Sequence, residues 1–452
     1  MSARVSAFVL VFLLIHAAHA QTNPAITSWL INTTGVKGSH YVQGNSTLIP
    51  DNDSANVKKV YYSANYAYIK ANGVPAYPTG PFMDGNPSFT TSQNAIFRIP
   101  LNPTPDPTPS STTGGNIGTF INGVALFDYR DGVSWNNNTQ AEAGGPSGGM
   151  GQGVWNRDAI VAERAGFDCA KGHPAMGNYH HHQNPSAFKL DMNVLSTICN
   201  LYDAEGLYAI DSSQHSPLLG FAADGYPIYG AYGYKNTDGS GGITRIKSGY
   251  QLRNITVRTH YADGTNVTDG PAVSATYPLG RYREDYEYIA HASDPDYLDV
   301  HNGRFCVTPE YPNGIYAYFC TVDRNWNSAY PYVVGPTFYG NTVTIKVNSI
   351  NETVTAYTGT SAIGDPAIGQ LNIVAFPNPG SDFIAVQIYG LLRADADVLL
   401  YDLNGRLVQS AQLKQGSTIT YLDTRTLYNG AYVLQVLSGQ YVHTQKVLIA
   451  RE

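Results

Sequence analysis

Val398-Leu-Leu-Tyr-Asp-Leu403, then Asn404-Gly405, then Arg406-Leu407-Val408: two apolar, strand-like runs meet at the dipeptide best suited to a tight hairpin. Ala431-Tyr-Val-Leu-Gln-Val-Leu437 and the run from Thr444 to Ile449 are strand-like too. Turn residues separate these runs at short intervals, which marks a β-sandwich. Residues 373–452 therefore read as a small C-terminal β-domain. Before it, Gly359 to Gly369 is a stretch of small residues of linker type, and the connection as a whole is placed at 346–372.

Working outward, residues 21–345 form the body. The chain is only 13% charged yet holds 34 tyrosines and 45 glycines. That mix suits short strands joined by tight turns, with tyrosines half-buried and their hydroxyls wet. The expected fold class is mainly β: a large β-rich body with few short helices, plus a small Ig-like C-terminal sandwich. The best helix candidate runs from Trp155 to Ala165, stops at Gly166, and could brace the segment that follows from behind. A formal charge of −7 without a Lys/Arg cluster speaks against nucleic acid as a partner.

At the other end, Arg4 and the apolar run Val5 to Ile15 precede Ala18-His19-Ala20, a small-x-small cleavage pattern. Residues 1–20 read as an export signal, too short to span a bilayer. No other apolar run is long enough to cross as a helix, so no transmembrane segment is expected in the mature protein. An exported chain meets oxidising conditions, and Cys169, Cys199, Cys306 and Cys320 make an even count. Of three possible pairings, Cys169–Cys199 and Cys306–Cys320 are preferred, because Pro312-Asn313-Gly314 would turn the chain between the last two. Four thiolates on zinc would need a Cys-x-x-Cys clamp that is missing.

The chemistry concentrates at Tyr179-His180-His181-His182. Imidazole is the commonest protein ligand for zinc and copper. On an extended segment, His180 and His182 share one face and His181 takes the other. His173 and His215 each sit close to a proline, Pro174 and Pro217, that restrains the local backbone. These four are the metal-ligand candidates, with His301 and His181 weaker. Asp168, Asp224 and Asp299 could ligate or orient an imidazole, and Asp224 and Asp299 are the candidate catalytic acids. A nitrogen-rich set suits a copper or zinc ion better than calcium or magnesium, and no organic cofactor is expected. Arg304 is expected to pair with Glu310 across a hairpin, and His40, His260 and His443 to lie on the surface. Gly145-Pro146-Ser147-Gly148-Gly149 spells Gly-x-Ser-x-Gly but lacks the strand and helix of a nucleophile elbow.

Two resemblances add to this. "FPNPGSDFIAV", "VLLYDLNGRLV", "LYNGAYVLQV" and "QKVLI", in that order from about Ile373, resemble the type A sorting domain of the type IX secretion system of Bacteroidota. That resemblance implies a translocon and its processing machinery as partners, and a secreted or outer-surface location. Gly172-His173-Pro174, Tyr179 to His182, Asp224 to Gly230, and Asn302 to Phe319 resemble the YHYH family of secreted proteins. Here His181 stands where that family's second Tyr is expected. The resemblance covers about Tyr61 to Gly340 and implies no reaction. Three functions follow: a metal-binding protein, a metal-dependent extracellular hydrolase or oxidase, or a metal-free surface module for glycans or matrix.

Overall fold

The computed structural model describes residues 23–451 except 34, 46, 86–87, 146–148, 187–205, 359–371, 390–394, 415–416 and 439–440. The expected signal segment 1–20 and Cys199 lie outside the described residues. The chain divides into two compact units, a body and a C-terminal unit from Thr358 that also groups with residues 32–36. Among the described residues, α-helix is limited to α1 (Pro24–Thr27) and α2 (Ala159–Ala162), and strands dominate both units.

The C-terminal unit is two facing sheets, one of three strands and one of four. Its alternation is visible in Ala396–Tyr401, where Ala396, Val398 and Leu400 are buried and Asp397 is exposed. Those residues meet Ile384, Val386, Leu434, Val436 and Val447 in a core of their own. Asn404-Gly405 sits in the turn between Ala396–Tyr401 and Leu407–Leu413, with Gly405 at φ 79°. Glycine takes that left-handed conformation without steric cost. Upstream, Lys346–Val347 and Thr355–Tyr357 are strands at the two edges of the body's five-stranded sheet. The first half of the expected linker is thus part of the body.

The body's central element is an eight-stranded sheet. Its strands are β1 (Asn116–Phe120), β2 (Ala125–Phe127), β3 (Gly172–Ala175), β4 (Asn178–His181), β5 (Leu218–Ala222), β6 (Pro227–Tyr229), β7 (Gly303–Cys306) and β8 (Ile315–Phe319). They lie in the order β3-β4-β2-β1-β5-β6-β8-β7. That order is a palindrome of two equal halves: β1 to β4 are repeated by β5 to β8. Both outer hairpins are antiparallel, and each joins its half through a parallel pair, β4–β2 and β8–β6. At the middle, β1 and β5 pair as Phe120↔Gly220, Thr119↔Phe221 and Gly118↔Ala222, a register that maps onto itself when the halves are exchanged.

The local bonds repeat as well. Gly118-Thr-Phe-Ile-Asn122-Gly123-Val-Ala-Leu-Phe127 corresponds to Gly220-Phe-Ala-Ala-Asp224-Gly225-Tyr-Pro-Ile-Tyr229. Phe120 N–H donates to Val124 O at 2.8 Å, and Ala222 N–H to Tyr226 O at 3.0 Å. Asn122 Oδ1 accepts from Val124 N–H at 3.1 Å, and Asp224 Oδ1 from Tyr226 N–H at 3.2 Å. Before each outer hairpin stands an aspartate whose Oδ1 gathers two backbone N–H groups. Asp168 takes those of Ala170 and Gly172, and Asp299 those of His301 and Gly303. Lys171 and Asn302, at φ 63° and 65°, make the same turn. Tyr179 and Tyr316 then donate their hydroxyls to those two carboxylates.

Candidate metal centre

The first half's hairpin carries the histidines. His173 on β3 pairs across to His180 on β4, and His182, just past β4, shares the face of His180 as a strand dictates. His180 donates Nδ1–H to Asn178 O at 2.8 Å, and His182 donates Nδ1–H to Asp128 O at 2.6 Å. A carbonyl only accepts, so these bonds place the proton on Nδ1 and leave the Nε2 lone pair free. The free nitrogens converge. His182 Nε2 is 3.2 Å from His173 Nε2 and 3.1 Å from His180 Nε2, and all three lie within 4.8 Å of one another. Phe127 stacks on the His180 ring at 3.9 Å, and Phe167 meets His173 edge-on.

Bond lengths of about 2.0–2.1 Å in a tetrahedral site separate ligand atoms by about 3.3 Å. The two separations from His182 are those of a coordination shell, and the third pair lies within 4.8 Å. Their charge state agrees. Burial holds His173 and His180 well below the ordinary histidine range, each helped by its neighbouring imidazoles, and pushes His182 down to about 4. All three are neutral lone-pair donors at neutral pH, the form a metal needs.

A fourth group was not legible as part of this set. Glu163 caps the C-terminal end of α2, and its Oε2 stands 3.2 Å from His173 Nε2 and 3.5 Å from His182 Nε2. That oxygen is buried and has no hydrogen-bond partner. Burial first, then the nearby Asp131, raises the carboxyl to about 8. The only signal was its place in the helix expected behind the histidines. That helix is shorter than the expected Trp155–Ala165. Asn156–Asp158 is instead a strand paired with Arg130–Asn136, and Asp158 caps α2 by accepting from Ile160 N–H.

The other candidates stand elsewhere. His181 faces the opposite side of the sheet, its Nε2 2.9 Å from the Tyr77 hydroxyl and its Nδ1 3.1 Å from Lys171 O. Burial brings it to about 3. His215 packs among Tyr229, Tyr234 and Phe319 in the second half, its Nδ1 donating to Ser216 O. Tyr229 and Phe319 belong to β6 and β8, four and five strands from β4, about 20 Å at ordinary strand spacing. His215 is thus not a partner of the three. His301 pairs with Thr337 Oγ1 at 2.6 Å.

Asp224 accepts from the Tyr318 hydroxyl at 2.5 Å and from Gly340 N–H, and burial raises it to about 6. Asp299 holds the turn before β7. Both expected catalytic acids, Asp224 buried and Asp299 half-buried, are turn anchors of the second half, bonded to backbone and tyrosine rather than to the three histidines. Asp168 has the same anchoring role beside the site, with its carboxyl raised to about 7 by burial.

Two further corrections concern β7 and β8. Cys306 and Cys320 are both free and buried. The register sets Cys306 opposite Ile315, five residues short of Cys320. At about 3.4 Å per residue that is about 17 Å, beyond the roughly 7 Å a disulfide allows. The Cys169–Cys199 pairing involves Cys199 and so lies outside the described residues. Arg304 does not pair with Glu310. It donates to Lys235 O at 3.1 Å, Pro295 O at 2.5 Å and Tyr234 O at 2.5 Å, and Glu310 accepts from the Tyr229 hydroxyl instead.

A predominantly β, exported protein with a buried histidine centre is the class these features define. Comparison with known families gives the same answer: residues 96–331 match the model of the YHYH protein family, and residues 374–450 that of a secretion system C-terminal sorting domain. The chain belongs to the YHYH family and carries a sorting domain, which places it in the secreted or cell-surface class. No curated protein matches it. Among solved structures it is similar to dimeric latent PorU from Porphyromonas gingivalis, at 23% identity over 18% of this chain and 9% of that one. The TM-score of 0.15 leaves that likeness without structural weight. No helix among the described residues is long and apolar enough to cross a membrane.

Proposed function

We propose that this protein is exported through the type IX translocon, handled there by its processing machinery, and holds one zinc or copper ion at His173, His180 and His182. One observation carries the reading: three buried imidazoles, two with Nε2 freed by Nδ1 bonds to carbonyls, converge within 4.8 Å, with His182 Nε2 at ligand–ligand distance from the other two. An all-nitrogen donor set beside one carboxylate favours zinc or copper over calcium and magnesium. When bound, such an ion supplies a fixed positive charge and Lewis acidity. The chain's own contribution is to hold three neutral donors rigidly and to screen them from bulk water with Phe127 and Phe167. The two acids expected to serve a hydrolase or oxidase, Asp224 and Asp299, anchor turns elsewhere, and the carboxyl beside the histidines is that of Glu163. A metal-free glycan module gives no reason for three buried imidazoles to converge.

The test is metal content of protein purified without a histidine tag. About one equivalent is expected in the wild type and almost none in a His180→Ala/His182→Ala variant. Equal, substoichiometric content in both would overturn the reading.

A further inference from the structure

We infer that Glu163 is the fourth ligand, closing the shell around the ion and gating its exchange. This rests on the metal reading and goes beyond the three-histidine cluster. Glu163 Oε2 lies 3.2 and 3.5 Å from two of the three ligand nitrogens. Those are the separations of atoms bound to a common tetrahedral ion. The same oxygen is buried yet accepts no hydrogen bond, and among the described residues no Lys or Arg pairs with it. A buried carboxyl oxygen so placed, without a hydrogen-bond donor, is met either by its own proton or by a cation. Its backbone is pinned on both sides: Glu163 N–H donates to Ala159 O and Glu163 O accepts from Gly166 N–H, both at 2.8 Å. The side chain is therefore aimed by the fold.

The second half of the sheet supplies an independent comparison. By register, His173 corresponds to Arg304, His180 to Ala317 and His182 to Phe319. There the chain carries its own cation: the Arg304 guanidinium lies 5.3 Å from the Phe319 ring centre and donates to three carbonyls. The first half keeps a carboxylate and three neutral imidazoles in the equivalent place and no side-chain cation among them. Arg157 opposes the rise of the Glu163 carboxyl but makes its ion pairs with Asp131 and Glu142. A bound metal ion would therefore be the cation that meets Glu163 directly, as Arg304 supplies positive charge to the other half.

Three histidines and one carboxylate fill the four positions of a tetrahedral ion, so the centre retains metal and leaves no open position for water. Glu163 is also the most accessible of the four, its side chain 29% exposed against 10% or less for His173 and His182. Exchange therefore proceeds by displacement of the carboxylate.

The experiment compares wild type, Glu163→Gln and Glu163→His, each loaded with zinc or cobalt(II). Release is followed with a chelator, and cobalt absorption reports the ligand set. Glu163→Gln should still take up one ion at saturation but release it at least tenfold faster, with an altered cobalt spectrum. Glu163→His should restore slow release. Identical affinity, release rate and spectrum in wild type and Glu163→Gln would overturn the fourth-ligand assignment while leaving the histidine site intact. A wild type that takes up no ion would sink both. Circular dichroism of the near-isosteric Gln variant separates a ligand effect from misfolding.

Discussion

His173 and Arg304 occupy the same position in the two halves of one sheet. His173 faces His180 across the β3–β4 hairpin, and Arg304 faces Ala317 across β7–β8. The two halves share their strand order, their aspartate-anchored turns and the tyrosine that closes each turn. They differ in what fills the space beside the hairpin. Half of the sheet has kept a set of donors for an external cation. The other half has a guanidinium built into the chain.

That difference predicts unequal responses to losing the side chain. Arg304→Met leaves the carbonyls of Tyr234, Lys235 and Pro295 without their donor and should cost about 3 kcal/mol or more. His173→Ala should cost metal affinity far more than it costs the metal-free fold. Urea unfolding of both variants with and without chelator checks this. A chelator-treated His173→Ala as unstable as Arg304→Met would contradict it.

The matched turns give a second prediction. A Cβ added at Gly172 would strike the Tyr179 ring and hydroxyl, and one at Gly303 the Tyr316 ring and hydroxyl. Gly172→Ala and Gly303→Ala should each destabilise by about 2 kcal/mol, the usual cost of overpacking. Only Gly172→Ala should also weaken metal binding, because it displaces His173. If both variants bind metal as the wild type does, the turn does not position the histidines.

How much of this was open to a reader of the sequence follows from the range of each signal. Strand character and the sorting domain rest on local alternation and turn chemistry, as in Ala396–Tyr401 and Asn404-Gly405, and were legible. So was the sidedness of His180, His181 and His182, because a strand fixes it. Which distant residues join them was not. His215 and His173 look alike locally, each within two residues of a following proline, yet a palindromic strand order sends them to opposite halves. Glu163 carried no mark beyond its place in the expected helix, since its role depends on where a one-turn helix ends. The pairing expected for Cys306 and Cys320 failed for a related reason: the turn was placed correctly, but the hairpin register was not visible.

His215 offers a pH prediction clear of the metal centre. Burial lowers its pKa from 6.5 to about 4, partly offset by the bond to Ser216 O. Between those values the unfolded chain binds a proton that the folded chain refuses, so this group makes stability fall as pH drops from about 6.5 to about 4. The shift corresponds to about 3 kcal/mol. Relative to a His215→Phe variant, the wild type should lose about that much stability across the window and nothing further below it. A constant difference between the two proteins from pH 7 to pH 4 would show that His215 is not held neutral.

The thiols test the register on which the repeat rests. Burial raises both Cys306 and Cys320, though Arg304 beside Cys306 partly opposes the rise, and a protonated, buried thiol is a poor nucleophile. Native protein should therefore resist iodoacetamide at both positions. After denaturation without reductant, both should be alkylated and recovered as separate peptides. A linked peptide containing Cys306 and Cys320 would require β7 and β8 to pair about five residues out of the described register. That slip would move Gly303 away from Tyr318 and Arg304 away from Ala317, and the correspondence of Arg304 with His173 would go with it.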